Sequence, residues 1–215
     1  AEKVGRNAAG DLKLLGVDAY ASTLRDWGNQ QGAGIAVVTL QGAIVDGDGP
    51  PGTVGGDSAA RVLRKLRGDA RVKAVVLRLD SPGGSAYAAE EIRVAVQALR
   101  DAGKPVVASM SSVAASGGYW IATGANEIWA APMTLTGSIG VFGLFPDLSD
   151  PLNRLGLDMD GVRTAPLAGA LDPRRPLSDE ARDALQLGVE HTYSQFIQRV
   201  AKARGKPGEF LLASG

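Results

Sequence analysis

Three short runs of serine and glycine carry the residues that could perform acyl chemistry in this sequence. The first is Val113-Ala114-Ala115-Ser116-Gly117-Gly118-Tyr119-Trp120. Small residues on both sides of Ser116 leave room for a substrate carbonyl to approach its hydroxyl. If a helix starts there, its free N–H groups and positive end favour an oxyanion, with the Gly117 N–H as one donor. The same pattern also reads as a plain helix cap, with the hydroxyl spent on the backbone. The second run is Ser81-Pro82-Gly83-Gly84. A Gly-Gly pair lets backbone N–H groups face a cavity unobstructed, as in an oxyanion hole or a thioester site. It equally suits a βα turn with Ser85 capping the next helix. The third run is Thr136-Gly137-Ser138-Ile139-Gly140, in which Ser138 either orients a base or caps a turn.

A serine nucleophile needs a base. The single histidine, His191, sits in a helical pattern roughly opposite its apolar face, so a Ser-His-Asp triad is not expected. Lysine serves only when burial lowers its pKa. Lys73 and Lys104 precede strands and fall on the wrong rim of a sheet. Lys65 lies among charges, Lys202 and Lys206 near the end of the last helix, and Lys3 and Lys13 in the leading segment. No lysine on this chain is well placed. There is no cysteine, which removes thiol catalysis and Cys-ligated metals. No metal site or cofactor is expected. The 23 basic and 23 acidic residues balance, with no basic stripe, which argues against nucleic acid. No apolar run reaches the roughly 18 residues of a membrane-crossing helix.

The elements that must hold these runs alternate between strand and helix patterns. Apolar, β-branched runs at 35–40, 72–79, 105–110 and 127–131 predict strands. Helical spacing predicts helices at 58–67, 87–102 (closed by Gly103) and 116–124. Residues 139–144 predict a strand or a wall of the site. A long helix is predicted at 178–203, capped by Ser178. Its Leu185, Val189, Tyr193, Phe196 and Val200 should form one buried face. Strands separated by such helices imply a mostly parallel α/β sheet, whose sites form at the carboxyl ends of its strands. The loops 81–84 and 111–118 should therefore share one rim. Residues 1–33 read as a polar leader or linker with one short helix near 18–27. Residues 34–215 read as one domain, and both ends read as cut, as in an excised piece.

The three runs, in order and over about sixty residues, closely resemble peptidase family S49, the signal peptide peptidase A and protease IV group. The resemblance extends from Ile35 to the end. It implies a ClpP/crotonase-like α/β core and a serine peptidase with an acyl-enzyme mechanism. In long-form members the C-terminal repeat carries the serine and the upstream repeat carries the lysine. In short-form members the lysine lies downstream of Gly-Ser-Ile-Gly. That slot reads Gly161-Val162-Arg163-Thr164-Ala165-Pro166 here, without lysine. This matches a long-form C-terminal repeat, truncated at its end. By motif, Ser116 resembles the nucleophile, and Gly83 and Gly117, with Gly84 adjacent, resemble the oxyanion donors. Ser138 resembles the residue that hydrogen-bonds the incoming lysine. Val113, Val141, Phe142 and Leu144 are candidate walls of an apolar substrate pocket. The resemblance further implies released signal peptides as substrates, a homo-oligomeric parent and the periplasmic face of a bacterial inner membrane.

Two rival readings remain open. One is a crotonase-type acyl-CoA enzyme, against which stands the lack of acids around Ser116 and of a basic cluster for CoA phosphates. The other is a non-catalytic scaffold repeat.

Overall fold

The computed structural model describes residues 32–205, apart from Arg163 and Pro166. The chain divides into units Ala1–Gly34 and Ile35–Gly215. The elements below belong to the second unit, with the first strand starting at the border. The short helix expected near 18–27 lies outside the described residues, as do Lys3, Lys13 and Lys206.

Four strands form the main path of the sheet: β1 (Gly34–Gln41), β4 (Val72–Ser81), β5 (Val106–Ala115) and β6 (Glu127–Trp129), neighbours in that order. A further strand, β7 (Leu135–Gly137), pairs with the far half of β5. The β4–β5, β5–β6 and β5–β7 pairs are all parallel. A separate two-residue parallel pair, β2 (Ile44–Val45) and β3 (Val54–Gly55), precedes the first of the described helices. This is the expected α/β architecture with a mostly parallel sheet.

The helices follow from spacing. Helix α1 (Gly56–Gly68) buries Ala59, Ala60 and Leu63. Helix α2 (Ala86–Asp101) buries Ala88, Ala89, Ile92, Ala95, Val96 and Leu99, steps of one and three that trace one face. The Ala88 N–H donates to Ser85 Oγ at its start, and Gly103 takes φ 76° just past its end. Along β4, Val75, Leu77, Leu79 and Ser81 are buried, whereas the residues between them are more exposed. Leu77, Leu79, Ile92 and Leu99 are fully buried in one core. Burying each contributes about 2 kcal/mol relative to exposure.

Three further helices complete the described chain: α3 (Gly117–Ala122), α4 (Ser149–Arg154) and α5 (Asp179–Arg204). Three expectations need correction. Strand β5 does not stop at Met110 but runs to Ala115. Its small, polar second half reads as a loop in sequence, yet it gains ladder partners on both sides. Ser81 pairs with Ala114, and Leu135–Gly137 pair with Val113–Ala115. Arg78 adds bonds from its guanidinium to Ser109 Oγ and Ser111 Oγ, each 2.9 Å. The apolar stripe of α5 is buried only at its C-terminal end. Phe196 and Val200 are covered, whereas Leu185 is 37% exposed. Ala181 in the first turn is buried at 2%, yet the turn that follows it leaves Leu185 uncovered. Residues 139–144 form no strand, and Phe142 and Leu144 stand 90% and 88% exposed.

Candidate active site

The rim is assembled by β4 and β5, which run parallel and deliver their C-terminal loops side by side. Strand β4 ends at Ser81, and β5 ends at Ala115 one residue before Ser116. Helix α3 begins immediately after Ser116, so this residue occupies the strand-to-helix corner. Its φ of 49° and ψ of −118° are a conformation that a non-glycine residue rarely adopts. Such a strained corner recurs where a nucleophile must be lifted clear of a sheet. Although Ser116 stands at the cap position, its side chain makes no capping hydrogen bond.

Glycines make the corner possible. A Cβ on Gly83 would lie 2.7 Å from Ser116 Cβ and 2.8 Å from Gly117 N, so the 81–84 loop lies flush against the serine. A Cβ on Gly84 would overlap the Ile44 carbonyl, because Gly84 forms a parallel bridge with Ile44. A Cβ on Gly118 would meet Ser81 O at 3.0 Å. Ile44 holds the loop from the other side: its N–H donates to Gly83 O, and its carbonyl accepts from the Ser85 N–H, both at 2.9 Å. Two-residue β2 is invisible to periodicity, so sequence reasoning missed Ile44.

The donor set can be ordered. The Gly83 N–H donates to the buried Ser81 Oγ at 3.2 Å. Among the described residues, no protein acceptor meets the N–H of Gly84 or Gly117. Gly84 N would lie 3.4 Å from a Cβ placed on Gly117, so these two free donors are neighbours.

Ser138 arrives through β7. The pairing of Ala115 with Gly137 sets Ser138 at the next register position beside Ser116. The Ser116 N–H donates to Gly137 O at 2.9 Å, and Thr136 Oγ1 donates to Ala114 O at 2.7 Å. Ser138 itself has φ 49°, the second non-glycine residue with positive φ among the described residues. Val113, one of the four wall candidates, is half-buried in β5 at the position facing Leu135, and its N–H donates to Asp80 Oδ1 at 3.2 Å. Val141 is half-buried, while Phe142 and Leu144 face solvent.

No described lysine takes up the role of base here. Lys104 Nζ donates to the carbonyls of Leu66 and Asp69, each at 2.7 Å, at the amino end of β5. Lys65, Lys73 and Lys202 are exposed. His191 is exposed and contacts Gln195. A cavity of ≈ 710 Å³ opens between β1, β3 and α1, but its lining contains no titratable side chain. No cluster of His, Cys, Asp or Glu able to hold a metal occurs among the described residues.

A parallel α/β sheet with a strained serine corner beside a Gly-Gly loop is a scaffold suited to serine acyl transfer. The model of peptidase family S49 matches residues 98–212, and the chain belongs to that family. Protease 4 of Salmonella typhi is 51% identical over 178 residues, covering 83% of this chain and 29% of that protein. Protease 4 of Haemophilus influenzae is 42% identical over 202 residues, covering 93% of this chain and 33% of the other. The chain thus spans about a third of the length of these curated relatives. Among solved structures, a ClpP1 mutant from Listeria monocytogenes shares the fold, with a TM-score of 0.51 at 13% identity. That match covers 90% of this chain and 82% of the other. Among the described residues, no helix is long and apolar enough to cross a membrane.

Proposed function

We propose that this chain is the serine-bearing repeat of a long-form signal peptide peptidase, with Ser116 as nucleophile and a base lysine supplied by an upstream repeat of the same polypeptide. The observation that carries this reading is the Ser116 corner: strained, placed at a strand end, and with its hydroxyl unspent on capping. A neutral lysine takes the Ser116 proton while Oγ attacks the peptide carbonyl. The carbonyl oxygen gains negative charge, which the free N–H groups of Gly84 and Gly117 are suited to meet. Gly83 contributes by having no side chain where Ser116 must stand. Collapse of the tetrahedral intermediate expels the amine, which takes the proton from the lysine ammonium, and water, giving its proton to the neutral lysine, then hydrolyses the acyl-enzyme and frees Ser116. Ser138, beside Ser116 in register, holds the lysine ammonium. Val113, Val141, Phe142 and Leu144 line an apolar substrate pocket, the last two gaining their cover from outside this chain.

The substrates in this reading are released signal peptides and similar membrane-associated peptides. The setting is the periplasmic face of the inner membrane, in a homo-oligomeric parent. Residues 1–33 are the end of the connection from the upstream repeat.

The test is hydrolysis of a fluorogenic peptide by this chain alone and mixed with the upstream repeat. Activity on mixing, abolished by Ser116→Ala, is expected. Robust activity of the chain alone would overturn the split of serine and lysine between repeats.

A further inference from the structure

Helix α3, which follows Ser116, is only six residues long. One and a half turns cannot fix their own orientation, so what packs on α3 decides where it points. Two adjacent residues of α3, Tyr119 and Trp120, are buried at 5% and 3% exposure. Each is held by a polar bond. The Tyr119 hydroxyl accepts from Arg204 Nη1 at 2.7 Å, from the last residue of α5. The Trp120 Nε1–H donates to Glu90 Oε2 at 2.7 Å. Glu90 stands on α2 and also accepts from Arg199 of α5, with Nη2 at 2.8 Å and Nε at 3.0 Å. Arg93 adds bonds of 2.7 and 2.9 Å to the same carboxylate. The Arg199 guanidinium lies 4.9 Å from the Trp120 ring centroid, and the Phe196 ring 4.7 Å from it.

The connection to the serine is direct. The Trp120 backbone N–H donates to Ser116 O at 2.9 Å. One residue therefore joins the web around Glu90 to the strained corner. A backbone in such a conformation persists only when its surroundings over-determine it. Apolar burial holds α3 against its neighbours, with every one of its six residues buried. Bonds at Tyr119 Oη and Trp120 Nε1 are directional and oppose rotation of α3 about its axis.

We propose that the last turns of α5 position the nucleophile helix, acting through Arg204–Tyr119 and Arg199–Glu90–Trp120, and so set the aim of the Ser116 hydroxyl and the Gly117 N–H. None of these side chains is assigned contact with substrate; they are positioning residues. The inference rests on the reading of Ser116 as nucleophile.

The test uses the full-length parent with Tyr119→Phe, Glu90→Gln, Arg204→Leu and Arg204→Lys. Four quantities are measured: kcat and KM on a fluorogenic peptide, the rate of Ser116 labelling by a fluorophosphonate, and Tm. Tyr119→Phe and Glu90→Gln should each lower kcat and the labelling rate about tenfold, as sub-ångström misplacement of a nucleophile does. KM should stay within about twofold. Arg204 is exposed, so Arg204→Leu spares the core even if the buried variants fail to fold. It should match Tyr119→Phe, and Arg204→Lys should recover most of the rate. Folded variants with normal kcat, or with a raised KM alone, overturn the inference. Retained activity in Ser116→Ala would instead overturn the nucleophile reading on which it rests.

Discussion

Ser178 and Ser116 stand at the same position, one residue before a helix, and do different things. Ser178 has φ −70° and ψ 159°, an extended conformation that turns its hydroxyl onto the helix, where it accepts from the Ala181 N–H at 3.2 Å. Ser116 has φ 49° and ψ −118°, and its hydroxyl makes no such bond. A serine before a helix is thus a cap or a presented hydroxyl according to the backbone that carries it. At Ser178 nothing forces the backbone away from the relaxed choice. At Ser116 the ladder of β5 with β4 and β7, the Gly137 carbonyl and the pressing Gly83 loop impose the other one.

The sharpest way to break this contrast is to truncate each serine. In the full-length parent, Ser116→Ala should lower kcat on the order of a million-fold, as loss of a serine nucleophile does elsewhere. Its Tm should hardly move, because no capping bond is lost. A variant that keeps its rate, or that loses stability like a cap, would make the two helix starts equivalent after all.

Gly83→Ala attacks the cause rather than the serine. The new Cβ would need φ 106° and would press on Ser116 and Gly117 N. We expect activity to fall about a hundredfold or more, with stability lowered by about 1–3 kcal/mol. Urea unfolding together with peptide hydrolysis checks both. Normal activity would show that the loop does not hold the corner.

Ser178→Ala is the complement. It should cost about 1 kcal/mol of stability, measured by denaturant midpoint, and leave kcat untouched. A larger effect on rate than on stability would deny that Ser178 is merely a cap.

The smallest expected effect concerns pH. Burial tends to push the Glu90 carboxyl up, but bonds from Arg93, Arg199 and Trp120 outweigh it and hold the group at about 2, below its ordinary 4.5. A carboxylate with a lowered folded pKa stabilises fully above its unfolded pKa, and the stabilisation fades as pH falls toward the folded one. Stability should therefore decline between about pH 4.5 and 2, and Glu90→Gln should flatten that part of the curve. Urea midpoints at pH 6 and 3 for both proteins test it, and identical slopes would remove Glu90 from the web around α3.

Much of this molecule is legible in residue type and spacing. Strands β1, β4 and β6 and helices α1, α2 and α5 came from apolar spacing, and the end of α2 came from Gly103. Short β2 and the second half of β5 were not legible. Two residues have no period, and Ser111-Ser112-Val113-Ala114-Ala115 has loop-like composition that only its ladder partners override. Glu90 was not singled out either. It reads as one more charge on an amphipathic helix until Trp120 and Arg199 close on it. The site runs at Ser81, Ser116 and Ser138 were legible because small residues cluster around hydroxyls there. Which of those serines cap and which do not was hidden.

By itself, then, the sequence determined the alternation of strands and helices, the core faces, the family and the absence of lysine from the 161–166 slot. These are properties of residue type and spacing, which the chain carries whether folded or not. Only the tertiary structure decided that Ser116 is strained rather than capping, that Gly84 and Gly117 share the free donors, and that α5 reaches α3. Backbone conformation at a corner follows from the elements that press on it from far along the chain, and no local pattern records that pressure.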